Sequence, residues 1–190
     1  LARKIYLIRN LTPITRAAFP VIDAHNHLWG NWAVEDVVRT MDETGISGYC
    51  DVTGNVRIEF SGGGYTIYPG DIDDFFINCR DRFPGRFYCF TMANFASPVN
   101  KPLFVDDKRF VDEFIEILNN HVQQGARGLK ILKELGLHYR DKNGDLIYCN
   151  DERLYPVWEE AGRLKIPVLI HQADPSGFFE PVTPENEHFD

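Results

Sequence analysis

The chain has 190 residues, 44% hydrophobic and 13% aromatic, which is enough apolar material for one globular domain and too much for a disordered segment. Its net charge of -8, without a Lys/Arg cluster, argues against a nucleic-acid partner or an anionic membrane surface. No apolar run is long enough to span a bilayer. We therefore expect a cytoplasmic protein that acts on a small molecule; a removed export signal and a homo-oligomer stay open.

The cysteines favour a reducing compartment. Two of the four, Cys50 and Cys89, fall inside apolar, strand-like runs, and none of the four forms a C-x-x-C spacing with another. We interpret all of them, including Cys79 and Cys149, as buried free thiols. The pattern gives no support to a zinc site with sulfur ligands.

After a lead-in at residues 1–20, the first predicted strand carries the motif on which the functional interpretation depends. It reads Val-Ile-Asp-Ala-His-Asn-His over residues 21–27. Because side chains alternate along a strand, Asp23, His25 and His27 share one face. Two imidazoles at this spacing can bind one metal ion. The alternative is one packed and one solvated histidine.

Strand and helix patterns then alternate along the chain. Glycine triplet 62–64 sits within a predicted hairpin at residues 55–70 and is interpreted as its turn. Helices are predicted at residues 33–44, 71–83, 106–124 and 151–165, and strands at 46–52, 86–93, 126–132 and 166–171. Gly45 is expected to end the first helix, and Asp151 to cap the N-terminus of the last.

This alternation predicts a parallel α/β sheet. An open doubly wound sheet would normally show a glycine-rich first turn, whereas here histidines follow the first strand. Because His27 and His171 fall at the C-terminal ends of strands, the pattern favours a (β/α)8 TIM barrel. Residues 21–190 are expected to form its N-terminal portion, with the first five strands.

The run Asp23-Ala-His25-Asn-His27, Gly128-Leu-Lys130 on the fourth strand and Ile166-Pro-Val-Leu-Ile-His171 on the fifth resemble the amidohydrolase superfamily. The likeness is to the amidohydrolase-related group that includes aminocarboxymuconate-semialdehyde decarboxylase. It implies that His25, His27 and His171 bind a divalent metal. It also implies a sixth-strand histidine and an eighth-strand aspartate, which we expect beyond residue 190, together with the general base.

The expected ion is Zn²⁺, with Mn²⁺ or Fe²⁺ as alternatives, because imidazole ligands suit all three. Three histidines leave one position for a water that the metal can acidify. The leading hypothesis is a metal-dependent hydrolase acting on a small polar, anionic substrate. The alternatives are a nonhydrolytic decarboxylase and a metal-binding domain without turnover.

Supporting roles are predicted for several other residues. Asp23 is expected to support one of the metal-binding imidazoles through a hydrogen bond. Lys130 is expected to point inward as a free ammonium that binds substrate, with a carbamate and a structural ion pair as alternatives. In the loop at residues 133–150, the Asn-Gly pair at 143–144 is a hairpin signal, and Tyr139 and Arg140 are expected to face substrate; the alternative is a surface hairpin. Glu134 and Asp174 are weaker candidates for a general base, and His121, His138 and His188 are not assigned to the site.

Overall fold

The computed structural model describes residues 16–30, 32–62, 64–98, 102–174, 176–181 and 183–186. Within these ranges the chain is a mixed α/β structure. Its strands are β1 (Val21–Asn26), β2 (Ile46–Asp51), β3 (Val56–Ser61), β4 (Gly64–Pro69), β5 (Phe87–Cys89), β6 (Leu129–Ile131) and β7 (Val168–Ile170). Its α-helices are α1 (Val34–Thr44), α2 (Ile72–Phe75), α3 (Asp107–Gln124), α4 (Glu134–Leu137) and α5 (Tyr155–Arg163).

The parallel strands lie side by side in chain order. β1, β2 and β5 form one parallel sheet, and β6 and β7 form another. The two sheets are linked where Lys130 N–H donates to the carbonyl of Thr91 over 2.8 Å and Arg127 N–H donates to that of Cys89 over 2.8 Å. The predicted parallel arrangement is thus present, but the described residues do not close into a barrel.

The predicted hairpin is confirmed as the antiparallel pair β3–β4. Its register runs from Val56 opposite Pro69 to Ser61 opposite Gly64. Gly62 has a φ of 58°, in the left-handed region that glycine adopts without steric cost. Gly63 lies outside the described residues, as do residues 1–15 of the lead-in and His188.

Helix ends follow the signals in the sequence. Gly45 ends α1 in the left-handed conformation, and Asp106 caps α3 by accepting from Arg109 N–H over 3.0 Å. Asp151, the predicted cap of the last helix, accepts from Arg153 N–H over 3.0 Å. The helix predicted at 71–83 is shorter, because α2 continues as a π-helical turn that ends at Arg80.

Strand β5 ends before the predicted boundary at residue 93. The side chain of Asn55 donates to the carbonyl of Ala93 over 3.0 Å and accepts from Met92 N–H over 2.7 Å. These bonds occupy backbone groups that a longer strand would pair, so the chain leaves the sheet in a short 3₁₀ turn, Ala93–Phe95.

Two apolar clusters form the core. The larger packs α3 and α5 against β6 and the inner face of the hairpin, and the smaller packs α1 and the helical segment Ile72–Arg80 against β2 and β5. All four cysteines are free thiols; three are buried and Cys149 is half-buried. None of the helices in the described ranges is long and apolar enough to cross a membrane.

Candidate functional site

The predicted histidine pair lies at the C-terminal end of β1, with its two imidazoles side by side. The ring centroids of His25 and His27 are 5.7 Å apart, with the ring planes at 71°. The pairing with β2 changes register between Asp23 and Asn26, and the Asn26 side chain accepts from His27 N–H over 2.8 Å. The strand therefore ends in a turn that still leaves both rings adjacent.

A buried hydroxyl fixes the protonation of one ring. The hydroxyl of Thr53, at 1% exposure, donates to Oδ1 of Asp51 over 3.0 Å and accepts from Nε1–H of Trp29 over 2.9 Å. Its contact with Nδ1 of His27 is 2.9 Å. Since the only hydroxyl proton is used on Asp51, Nδ1 of His27 must carry the proton in that contact. The other nitrogen, Nε2, is left with a lone pair, as a metal ligand requires.

Asp51 anchors this network from the end of β2. Besides the Thr53 hydroxyl, its carboxylate accepts from Thr53 N–H over 2.8 Å and from Leu28 N–H over 3.4 Å. Burial raises the pKa of Asp51, while the hydrogen bonds with Thr53 and Leu28 act in the opposite direction.

Desolvation and a neighbouring cation lower the pKa of both imidazoles. Burial, followed by the positive charge of Lys130, lowers the pKa of His27 to about 4. The same two causes lower the pKa of His25. The charge of His171 also acts on both rings, so this histidine lies within electrostatic range of them. Neutral imidazoles are the form that binds metal.

Lys130 lies beside the pair and has no carboxylate partner in the described part of the chain. It is 1% exposed, and its Nζ is 3.4 Å from Nε2 of His25. Burial lowers the pKa of this amine. The predicted direction of Lys130, toward a barrel interior, stays a prediction, because the described residues form no closed barrel. The alternative of a structural ion pair finds no acidic partner among the described residues.

His171 follows β7 directly. Its backbone N–H donates to the carbonyl of Ile131 over 3.0 Å, which holds it next to the end of β6. Its Nε2 is 3.1 Å from the carbonyl of Ala173, a contact in which the ring nitrogen must donate. Across the described ranges, no three His, Cys, Asp or Glu side chains are arranged to hold a metal ion. The structure thus joins His25 with His27 and leaves His171 as a neighbour.

Asp23 differs from its predicted role. Its carboxylate accepts from the backbone N–H of His25 over 3.3 Å and from the side chain of Asn26 over 2.7 Å. These bonds stabilise the turn and not an imidazole. The imidazole support comes instead from Thr53.

The predicted placements of Tyr139 and Arg140 are also corrected. The Tyr139 hydroxyl is buried in the core, where its contacts are the carbonyls of Phe95 and Ser97, each at 2.7 Å. Arg140 is exposed and donates to the carbonyl of Gly144 over 2.8 Å, across the turn of a small hairpin. The Asn-Gly signal correctly predicted this turn, and the side chain of Tyr139 belongs to the core whereas that of Arg140 lies on the surface.

A chain of aromatic and charged side chains begins at His27, and the sequence analysis had singled out only its two carboxylates, Glu134 and Asp174. Trp29 stacks on His27 with centroids 3.9 Å apart, and the Tyr65 ring of β4 is 6.3 Å from Trp29. The Tyr65 hydroxyl donates to Oε1 of Glu134 over 2.8 Å. Next to Glu134, Lys133 forms an ion pair with Asp174, with Nζ 2.5 Å from Oδ1. Glu134 is thus hydrogen-bonded through one oxygen and Asp174 through both, and their role as general bases stays a prediction.

Thr53, Asp51 and Trp29 were missed by the sequence analysis. The available signal was Asp51 itself, a carboxylate at the end of an apolar run, which must be hydrogen-bonded if it is buried.

No family model and no curated protein matches the chain.

Proposed function

We propose that this chain belongs to a metal-dependent hydrolase of the amidohydrolase-related group, with His25 and His27 as metal ligands and His171 as the third. The observation that carries the proposal is the bond from His27 to Thr53, which presents Nε2 as a lone pair beside the ring of His25. Imidazole nitrogens in this form suit Zn²⁺. His171 donates from Nε2 to the carbonyl of Ala173, which leaves its Nδ1 as the nitrogen with a lone pair. Because no three candidate ligands converge in the described residues, the ring of His171 must shift for Nδ1 to join the pair.

A bound Zn²⁺ would supply an acidified water and polarise a scissile carbonyl. The other contributions to the site come from side chains of the protein. Thr53 and Asp51 hold the orientation of His27, and burial lowers the pKa of its ring to about 4. Lys130 provides a buried cationic group beside them, which suits a small anionic substrate.

We further propose that the five parallel strands are the first part of a (β/α)8 barrel. Support comes from their neighbour order, which follows the chain from β1 to β7 through the link between Thr91 and Leu129. It also comes from the two outer strands, where Ile22 is 60% and Ile170 is 37% exposed, so apolar side chains are left for further strands and helices to cover.

The proposal is tested by measuring bound zinc in the purified protein and in three variants, His25→Ala, His27→Ala and His171→Ala. We expect one Zn²⁺ per chain in the wild type and a loss of at least about tenfold in affinity in each variant. His138→Ala is the matched control, because this histidine is exposed and is absent from the network. Unchanged zinc affinity in the three variants would refute the assignment.

Product analysis then separates the reaction classes. Release of carbon dioxide from a small acid would identify the decarboxylase, whereas a carboxylic acid formed from an amide or ester identifies the hydrolase. Zinc binding without any turnover would leave the metal-binding domain.

A further inference from the structure

We propose that Glu134 is a specificity-determining residue, whose carboxylate receives an N–H donor group of the substrate in exchange for the hydroxyl of Tyr65. The inference rests on the proposed function, which places the reacting end of the substrate at the histidines. One carboxylate oxygen of Glu134 lacks a hydrogen-bond donor among the described residues. Glu134 is 3% exposed; its Oε1 accepts from Tyr65, while its Oε2 is buried without a hydrogen-bond partner in the described residues.

Within the part of the chain that the structure describes, Glu134 forms no ion pair. The neighbouring ammonium of Lys133 is occupied by Asp174, with Nζ 2.5 Å from Oδ1 and 2.6 Å from Oδ2. A buried carboxylate oxygen without a donor is costly, so a site built this way favours a ligand that brings the donor. Amidine or guanidine groups, which donate two parallel N–H bonds, fit a carboxylate best.

The position of Glu134 relates it to the histidine pair. It follows β6, the strand that carries Lys130, and it is connected to His27 through the rings of Tyr65 and Trp29. These aromatic rings provide flat surfaces for the body of a small planar molecule. A substrate can therefore place its N–H group at Glu134 and its reacting carbonyl toward the histidines.

For a ligand to reach the carboxylate of Glu134, the side chain of Tyr65 must move. Oε2 is covered in this structure, and Tyr65 belongs to the β3–β4 hairpin, where it pairs with the largely exposed Phe60. A ligand that donates two parallel N–H bonds to Glu134 uses both carboxylate oxygens and so competes with the Tyr65 hydroxyl for Oε1. Removing that hydroxyl should therefore strengthen binding, whereas removing the acceptor character of Glu134 should weaken it.

The test uses benzamidine, a planar cation with two parallel N–H donors, titrated by calorimetry into the purified protein without added metal. We expect Tyr65→Phe to bind benzamidine about fivefold to tenfold more tightly than the wild type. Glu134→Gln keeps the size of the side chain but replaces an acceptor with a donor, and we expect about a tenfold loss. Acetophenone, which has the ring but no N–H, is the matched probe and should show no such difference.

Opposite effects of the two variants are the signature of the exchange. A purely structural bond would lower the melting temperature of both variants and move their affinities in the same direction, or not at all, which would overturn the proposal. Absence of benzamidine binding to the wild type would also overturn it. The Tyr65 and Glu134 variants leave the three histidines intact, and the histidine variants leave Glu134 intact, so either proposal can fail alone.

Discussion

Replacing Thr53 with valine removes the hydroxyl at the centre of the histidine network while keeping the shape of the side chain. Three contacts are lost: to Nδ1 of His27 at 2.9 Å, to Nε1 of Trp29 at 2.9 Å and to Oδ1 of Asp51 at 3.0 Å. Each neutral bond contributes about 1 kcal/mol and the bond to the carboxylate about 1.5–3 kcal/mol. Since bonds that share one atom are not additive, we expect Thr53→Val to lower the free energy of unfolding by about 2–4 kcal/mol.

Thr53→Ser is the matched control, because it keeps the hydroxyl and removes one methyl group, at a cost of about 1 kcal/mol. Urea denaturation measures the stability of both variants, and ¹⁵N NMR of the imidazoles reports which nitrogen of His27 is protonated. We also expect zinc affinity to fall about tenfold to a hundredfold in Thr53→Val alone. Equal stability of the two variants, with the proton on Nδ1 in both, would refute the role of the hydroxyl.

The remaining predictions concern the titration of His27, the variants of Tyr139 and Arg140, and the amine of Lys130. Because the pKa of His27 is about 4 in the folded chain, below its ordinary value of 6.5, the unfolded chain binds more protons between these values. The metal-free protein should therefore lose about 1–2 kcal/mol of stability between pH 7 and pH 4, after allowance for solvent screening, and a flat profile would contradict this. Tyr139→Phe should cost about 1–2 kcal/mol in urea denaturation, and neither it nor Arg140→Ala should change kcat/KM; a loss of activity in Arg140→Ala at full stability would restore the original assignment. Lys130→Met should raise KM for anionic substrates about tenfold or more, and unchanged KM would remove the amine from the binding site.

The sequence predicted those features that depend on local pattern. Apolar periodicity located the α3 segment, and Gly45 and Asp151 were placed correctly as helix-end signals. The hairpin at residues 55–70 followed from alternation around glycines. The proximity of His25 and His27 was likewise predictable, because only one residue of extended chain, Asn26, separates them.

What the sequence did not reveal depends on contacts between distant segments. Thr53 reaches His27 only because β1 and β2 pair in a particular register, which no local signal specifies. Tyr139 lies in a polar loop, but its hydroxyl meets carbonyls more than forty residues away in the chain, at Phe95 and Ser97. A loop tyrosine with an expected role at a ligand therefore proved to be part of the core.

X-ray absorption at the zinc edge of the metal-loaded protein tests the proposal that three histidines hold one metal ion. We expect three imidazole nitrogens at about 2.0–2.1 Å from the zinc in the wild type, and two in His171→Ala. A sulfur ligand at about 2.3 Å, or a shell of oxygens without imidazole scattering, would contradict it.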